Sequence, residues 1–171
     1  NSDMSVGSVA SVHVLWESFG TNVKPKEKDL IASLMYYDGQ ILFKTVTEFK
    51  EGNAVIAVKN AYGTILWSWH IWLTDKPIEQ TYANNAGIMM DRNLGAISAT
   101  PGDVGALGLL YQWGRKDPFL GSSSISSDIV AQSTGIWPSA EWSSSTTGTL
   151  GYVTRNPMTF IKFNAANYDW Y

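Results

Sequence analysis

The chain has 171 residues, enough for one large domain or two small ones, and its 44% hydrophobic content supplies a core. Charged residues are sparse at 16% and aromatics reach 13%, with eight Trp and eight Tyr, which suits a β-protein working outside the cytoplasm. A net charge of -3 offers no basic stripe to nucleic acid, the lack of Cys excludes disulfides and thiolate sites within the chain, and no apolar run approaches the ~18 residues that span a bilayer.

The opening Asn1-Ser-Asp-Met-Ser-Val6 is polar and lacks the basic start of a signal peptide, so the expectation is a cytoplasmic chain or a trimmed piece of an exported one. Val9 to Trp16 reads as a strand, broken at Ser18-Phe-Gly-Thr-Asn22. After a charged connector come two apolar runs, Leu30 to Tyr37 and Gln40 to Val46. They are joined by Asp38-Gly39, a strong hairpin signal because both turn positions favour positive φ. Ala54 to Lys59 is a further apolar strand, and Asn60-Ala-Tyr-Gly63 turns into Thr64-Ile-Leu-Trp-Ser-Trp-His-Ile-Trp-Leu-Thr-Asp75. Alternation places Ile65, Trp67, Trp69, Ile71 and Leu73 on one face of this strand and Leu66, Ser68, His70 and Trp72 on the other. Both faces are largely apolar, which predicts an interior strand covered on both sides. Pro77 and the polar residues after it mark a boundary near residue 78.

From residue 79 onward the pattern changes. Gly87 to Ala96 is a short apolar piece running into a polar turn. Leu107, Leu110 and Tyr111 have helical spacing, so Pro101 to Arg115 is expected to hold the one helix, with Asp103 near its start and Trp113-Gly114 ending it. Residues 121–149 are Ser- and Gly-rich and read as long surface loops with Trp137 and Trp142 embedded. Tyr152-Val-Thr154 and Thr159 to Phe163 read as short strands. The last segment, Asn167-Tyr-Asp-Trp-Tyr171, is unusually aromatic for a terminus, as if the natural chain continued or this end docks firmly.

Met89-Met-Asp-Arg-Asn-Leu-Gly-Ala96 followed by Gly108-Leu-Leu-Tyr-Gln-Trp-Gly-Arg-Lys-Asp-Pro-Phe119 resembles the signature of bacterial surface proteins with the major paralogous domain, a C-type-lectin-like fold. The strands Gly52 to Lys59 and Ile65 to Asp75 resemble the module that precedes this domain in fimbrillin-like and adhesin proteins of Bacteroidetes. The resemblance covers about Ser8 to the end. It implies export to the cell surface or outer membrane, as a lipoprotein or pilus component. The implied role is adhesion or glycan binding, not catalysis, with a glycan, a host or bacterial surface protein, or other pilus subunits as partners. It also implies that the lectin-like part is truncated, because relatives run on into a Gly-Trp-Arg-Val-Pro motif. The expected fold is mainly β (α+β overall): a sandwich-like, strand-rich module over 1–78, then a partial C-type-lectin-like segment over 79–171 with one short helix and long loops.

Four residues are candidate ligand contacts: Trp137, Trp142, Arg115 and Asp91. The two Trp residues sit among Ser, Gly and Pro, where exposed indoles could stack on sugar C–H faces, although plugging the loop onto the core is the favoured alternative. Asp91, beside Arg92 and Asn93, is either a sugar or calcium contact or, as favoured, part of a turn with Arg92 paired to a carboxylate. Tyr111, Trp113 and Arg115 are either a stacking patch or, as favoured, core. The acids Asp91, Asp103, Asp117, Asp128 and Glu141 are too scattered for calcium, and His13 and His70 lack a third ligand, so no metal or cofactor is expected. No nucleophile elbow or phosphate loop occurs, and the lack of Cys argues against an oxidase built on the lectin-like fold. The runner-up to an adhesin is a pilus or surface-scaffold subunit working by strand pairing.

Overall fold

The structure, a computed structural model, describes residues 6–163 and 169–171. The polar opening before Val6, and the residues Asn167 and Tyr168 of the aromatic end, lie outside the described residues. The chain folds mainly as β-structure. Its strands are β1 (Ser11–Ser18), β2 (Ile31–Tyr37), β3 (Gln40–Thr45), β4 (Gly52–Lys59), β5 (Ile65–Leu73), β6 (Glu79–Thr81), β7 (Ile88–Met90), β8 (Leu110–Tyr111), β9 (Pro118–Phe119), β10 (Glu141–Trp142) and β11 (Ile161–Lys162). One short helix, α1 (Leu150–Arg155), lies before β11.

The central sheet is antiparallel with the order β1-β4-β5. Its middle strand, β4, is buried at seven of its eight positions. The register pairs Ile56 with Trp69 and Val55 with His70, so the alternation read in the Trp-rich strand holds: Trp67, Trp69 and Ile71 share one face, Ser68, His70 and Trp72 the other. Both faces are covered, but β5 is an outer strand of the sheet and not an interior one. The apolar content of β5 reflects the two layers packed on it, and the interior position belongs to Val- and Ala-rich β4.

One layer is the β2–β3 hairpin. Asp38 (φ 48°) and Gly39 (φ 76°) make the two-residue turn with both positions in the left-handed region. Leu30 and Ile31 at its base are fully buried against Ala54, with Val14, Leu34, Ile71 and Leu73 around them. The buried Glu17 carboxylate of β1 fastens this base by accepting the backbone N–H groups of Lys28 (2.9 Å), Leu30 (3.0 Å) and Ile31 (2.6 Å). Without those three donors a carboxylate at this depth would be strongly unfavourable.

The second layer comes from residues beyond 78. Trp16 and Val55 meet Leu109, with Leu120, Trp137 and Met158 packed around them. Hydrogen bonds stitch this contact. Trp72 Nε1 donates to the carbonyl of Ala96 (3.0 Å), Asn53 Nδ2 to that of Gly95 (2.8 Å), and Ser18 Oγ to that of Gln132 (2.7 Å). Glu17 and Thr134 exchange two bonds, from the Glu17 N–H to Thr134 Oγ1 and from the Thr134 N–H to the Glu17 carbonyl.

The expected helix over 101–115 does not form. Val104–Ala106 is a single 3₁₀ turn, for which Asp103 does act as the cap by accepting the Gly105 N–H at 2.9 Å. Gly108 (φ 71°) then reverses the chain so that the Leu109 N–H reaches the Leu94 carbonyl, and β8 pairs with β9. The helical spacing of Leu107, Leu110 and Tyr111 is thus coincidental. The real helix, α1, covers the Tyr152-Val-Thr154 stretch read as a strand. Thr149 caps its start by accepting the Tyr152 N–H, and Arg155 lies in its last turn, where the helix dipole favours a cation.

Candidate functional site

Trp170 anchors the backbones of three exposed aromatic residues. Its ring is buried with Val153 and Ile161, and Tyr152 packs against this cluster. Its Nε1 donates to the Trp113 carbonyl at 2.7 Å, and its own carbonyl accepts the Ser143 hydroxyl at 2.7 Å. One buried residue therefore ties together the backbones that carry Trp113, Trp142 and Tyr171. Those three rings are 86%, 65% and 70% exposed. Gln112 braces the same region by bonding both the N–H and the carbonyl of Ile161.

Trp142 lies on β10, which pairs in parallel with β11 so that Trp142 faces Lys162. The Lys162 ammonium stands 5.1 Å from the indole centroid, a cation–π contact on an otherwise open ring. The following loop is fixed by its own hydroxyls: Thr147 Oγ1 donates to the Trp142 carbonyl at 2.6 Å and pairs with Ser144 Oγ at 2.9 Å. The ring is thus exposed on a braced backbone. Trp113 was expected in the core. It lies outside because Gly114 (φ 76°) turns the chain there, and the Arg115 N–H closes that turn on the Gln112 carbonyl.

The other candidates are placed differently. Trp137 is half-buried against Trp16 (centroids 5.6 Å apart) and Phe119 (6.1 Å), with its Nε1 bonded to Ser133 Oγ at 2.9 Å. It anchors the 130–137 loop and forms one wall of a surface cleft of ≈ 460 Å³. Arg115 is buried at 8% exposure. Its guanidinium donates to Gln112 Oε1 and to the carbonyls of Thr159, Asn156 and Pro157, and lies 4.9 Å from the Phe119 ring centroid. Burial lowers its pKa to about 10, against the opposing effect of Asp117. Those donors are committed inside the molecule, so Arg115 shapes the aromatic surface from beneath.

Asp91 gives both carboxylate oxygens to Arg92, at 2.9 and 3.1 Å, and Arg92 also bonds Asp75 and Thr74. Hydrogen bonding to Arg92 holds the carboxyl groups of Asp91 and Asp75 below the usual range. Both carboxylate oxygens of Asp91 are thus engaged within the turn by Arg92. Among the described residues no group of three or more His, Asp or Glu side chains is placed to hold a metal ion.

Two polar clusters were not visible in the sequence because their members are far apart in it. Ser68 donates to Asp117 Oδ1 at 2.6 Å, and Lys116 Nζ bonds both Asp117 oxygens and Ser68 while lying 4.5 Å from the Trp67 ring centroid. Ser68 is 2% exposed, so this trio locks β5 to the second layer and offers no accessible nucleophile. His70 bonds Asn53 Oδ1 at 2.9 Å and Tyr111 Oη at 3.4 Å. His13 lies on the same sheet face, and among the described residues its ring bonds Ser11 and not the His70 cluster.

Comparisons with family models, curated proteins and solved structures gave no match to this chain.

Proposed function

We propose that this chain belongs to an exported surface protein of the fimbrillin-like adhesin type, which binds glycan through an aromatic surface and carries out no catalysis. The reading rests on the Asp91-to-Ala96 and Tyr111-to-Arg115 motifs and on one structural observation: Trp142 and Trp113 lie open on backbones anchored to buried Trp170. Sugar rings present flat C–H faces that stack on indoles, and the indole N–H serves an adjacent hydroxyl. Lys162 beside Trp142 supplies a donor at the edge of the platform. Trp137, Arg115 and Asp91 support this surface or lie apart from it and are not its contacts. The partner is a glycan, or a glycan-bearing host or bacterial surface protein, met at the cell surface or outer membrane.

A glycan array followed by titration calorimetry tests this reading. Trp142→Ala and Trp113→Ala are each expected to weaken the best ligand by about tenfold, equivalent to ~1.4 kcal/mol. No glycan bound by the parent chain, or full affinity in both variants, would falsify it.

A second reading, a pilus or scaffold subunit working by strand pairing, is favoured by the β2–β3 hairpin. Among the described residues no third strand joins it, and its outer face exposes Met35, Tyr37 and Leu42. Sedimentation across a concentration series separates the two: self-association through the hairpin supports the scaffold, a glycan-binding monomer the adhesin.

A further inference from the structure

The β2–β3 hairpin is packed tightly only at its base. Leu30, Ile31 and Leu34 close against the sheet, whereas the residues nearer the turn stand off from it. Between them lies a cleft of ≈ 620 Å³, walled by Tyr36, Ile41 and Phe43 on the hairpin, Ile56 and Trp69 on the sheet, and Val9 of the segment entering β1. This volume falls within the ~300–1,000 Å³ range of small-molecule sites.

The chemistry of the walls narrows what fits. Among the described residues no Lys, Arg, Asp or Glu lines the cleft, and the His70 ring belongs to the opposite face of the sheet, where it bonds Asn53 and Tyr111. An ionised ligand would lose its hydration here and meet no opposite charge. Two polar groups remain. Neither the Trp69 indole N–H nor the Tyr36 hydroxyl has a hydrogen-bond partner among the described residues. By contrast, the N–H groups of Trp72, Trp137 and Trp170 are each bonded. An apolar cleft with aromatic walls and an unpaired indole donor suits an uncharged apolar molecule carrying a hydrogen-bond acceptor.

We propose that the cleft between the β2–β3 hairpin and the β4–β5 sheet face is a binding site for a neutral, apolar small molecule with a carbonyl or ether acceptor. Trp69 and Tyr36 orient the acceptor, and Ile41, Phe43 and Ile56 hold the apolar body. The site is separate from the aromatic surface around Trp170 and does not depend on the glycan-binding reading.

Nile red, which is uncharged and carries a carbonyl, is the probe, titrated by fluorescence into the full chain. The expected result is saturable binding at one site per monomer. Ile41→Trp, which fills the cleft, is expected to abolish it. Trp69→Phe, which keeps the ring but removes the donor, is expected to weaken binding about fivefold, the value of one hydrogen bond. Leu42→Ser, on the outward face of the hairpin, is expected to leave it unchanged. An anionic naphthalene sulfonate probe is expected to bind at least tenfold more weakly. If Ile41→Trp does not fold, Trp69→Phe against Leu42→Ser still decides. Non-saturable binding, equal affinity for the anionic probe, equal loss on Leu42→Ser, or a sedimentation dimer that excludes the probe would each overturn the proposal. The last would assign the cleft to a second copy of the chain.

Discussion

Burial keeps the His70 ring neutral, and its partners fix its tautomer. Asn53 Nδ2 is committed to the Gly95 carbonyl, so its Oδ1 accepts from His70 Nε2–H and leaves Nδ1 to face the Tyr111 hydroxyl. The folded pKa of about 4 lies below the ordinary value of 6.5, so the unfolded chain takes up the proton first. Stability from this residue is therefore full above pH 6.5, falls as pH drops, and is lost by about pH 4. The total is at most about 3 kcal/mol. His13, lowered by burial and then by Lys59, adds in the same direction. Urea midpoints measured between pH 7 and 4.5 should decline, and His70→Gln should flatten most of that slope. Arg115 presents the complementary case of a buried cation. Arg115→Met strips the carbonyls of Thr159, Asn156 and Pro157 of their donor and should lower stability by about 3 kcal/mol in urea unfolding.

Among the elements, the Asp38-Gly39 hairpin was legible because two-residue turns demand a backbone conformation that few residue types provide. Gly39→Ala meets no steric obstacle, only the strained φ, and should cost about 1 kcal/mol. Gly121→Ala should cost several times more, as thermal melts of the two variants would measure. Its Cβ would lie 2.2 Å from the Gly108 carbonyl oxygen, and backbone cannot give way as a side chain can. Nothing in the Ser-rich sequence around Gly121 announces that contact. The misplaced helix has the same origin. Periodicity over three apolar positions cannot compete with Gly105 and Gly108, whose conformations suit a 3₁₀ turn and a reversal. Six-residue α1 carries too few periods to be seen, and only its Thr149 cap and final Arg155 were available as signals.

For the molecule as a whole, the sheet β1-β4-β5 is a partition between two packed layers. Residues on both sides of position 78 share its buried hydrogen bonds, including Asn53 with Gly95, Trp72 with Ala96 and Ser68 with Asp117. Loss of either layer would expose Trp16 and Val55 or Leu30 and Ile31. Unfolding is accordingly expected as one cooperative transition, with near-ultraviolet and far-ultraviolet dichroism coincident; two separated transitions would show that the layers are energetically independent.

The sequence by itself determined the mainly β character, the first hairpin and the face assignment within the Trp-rich strand, because alternation and turn chemistry act between near neighbours. Which strand is central, which tryptophans lie open, which carbonyls hold the buried Arg115 guanidinium, and that Asp75 joins the Asp91–Arg92 pair were decided only by tertiary structure. Those outcomes depend on residues such as Trp170, Thr159 and Asp75 arriving from distant parts of the chain. Burial and partner geometry are properties of that meeting, and local spacing does not encode them.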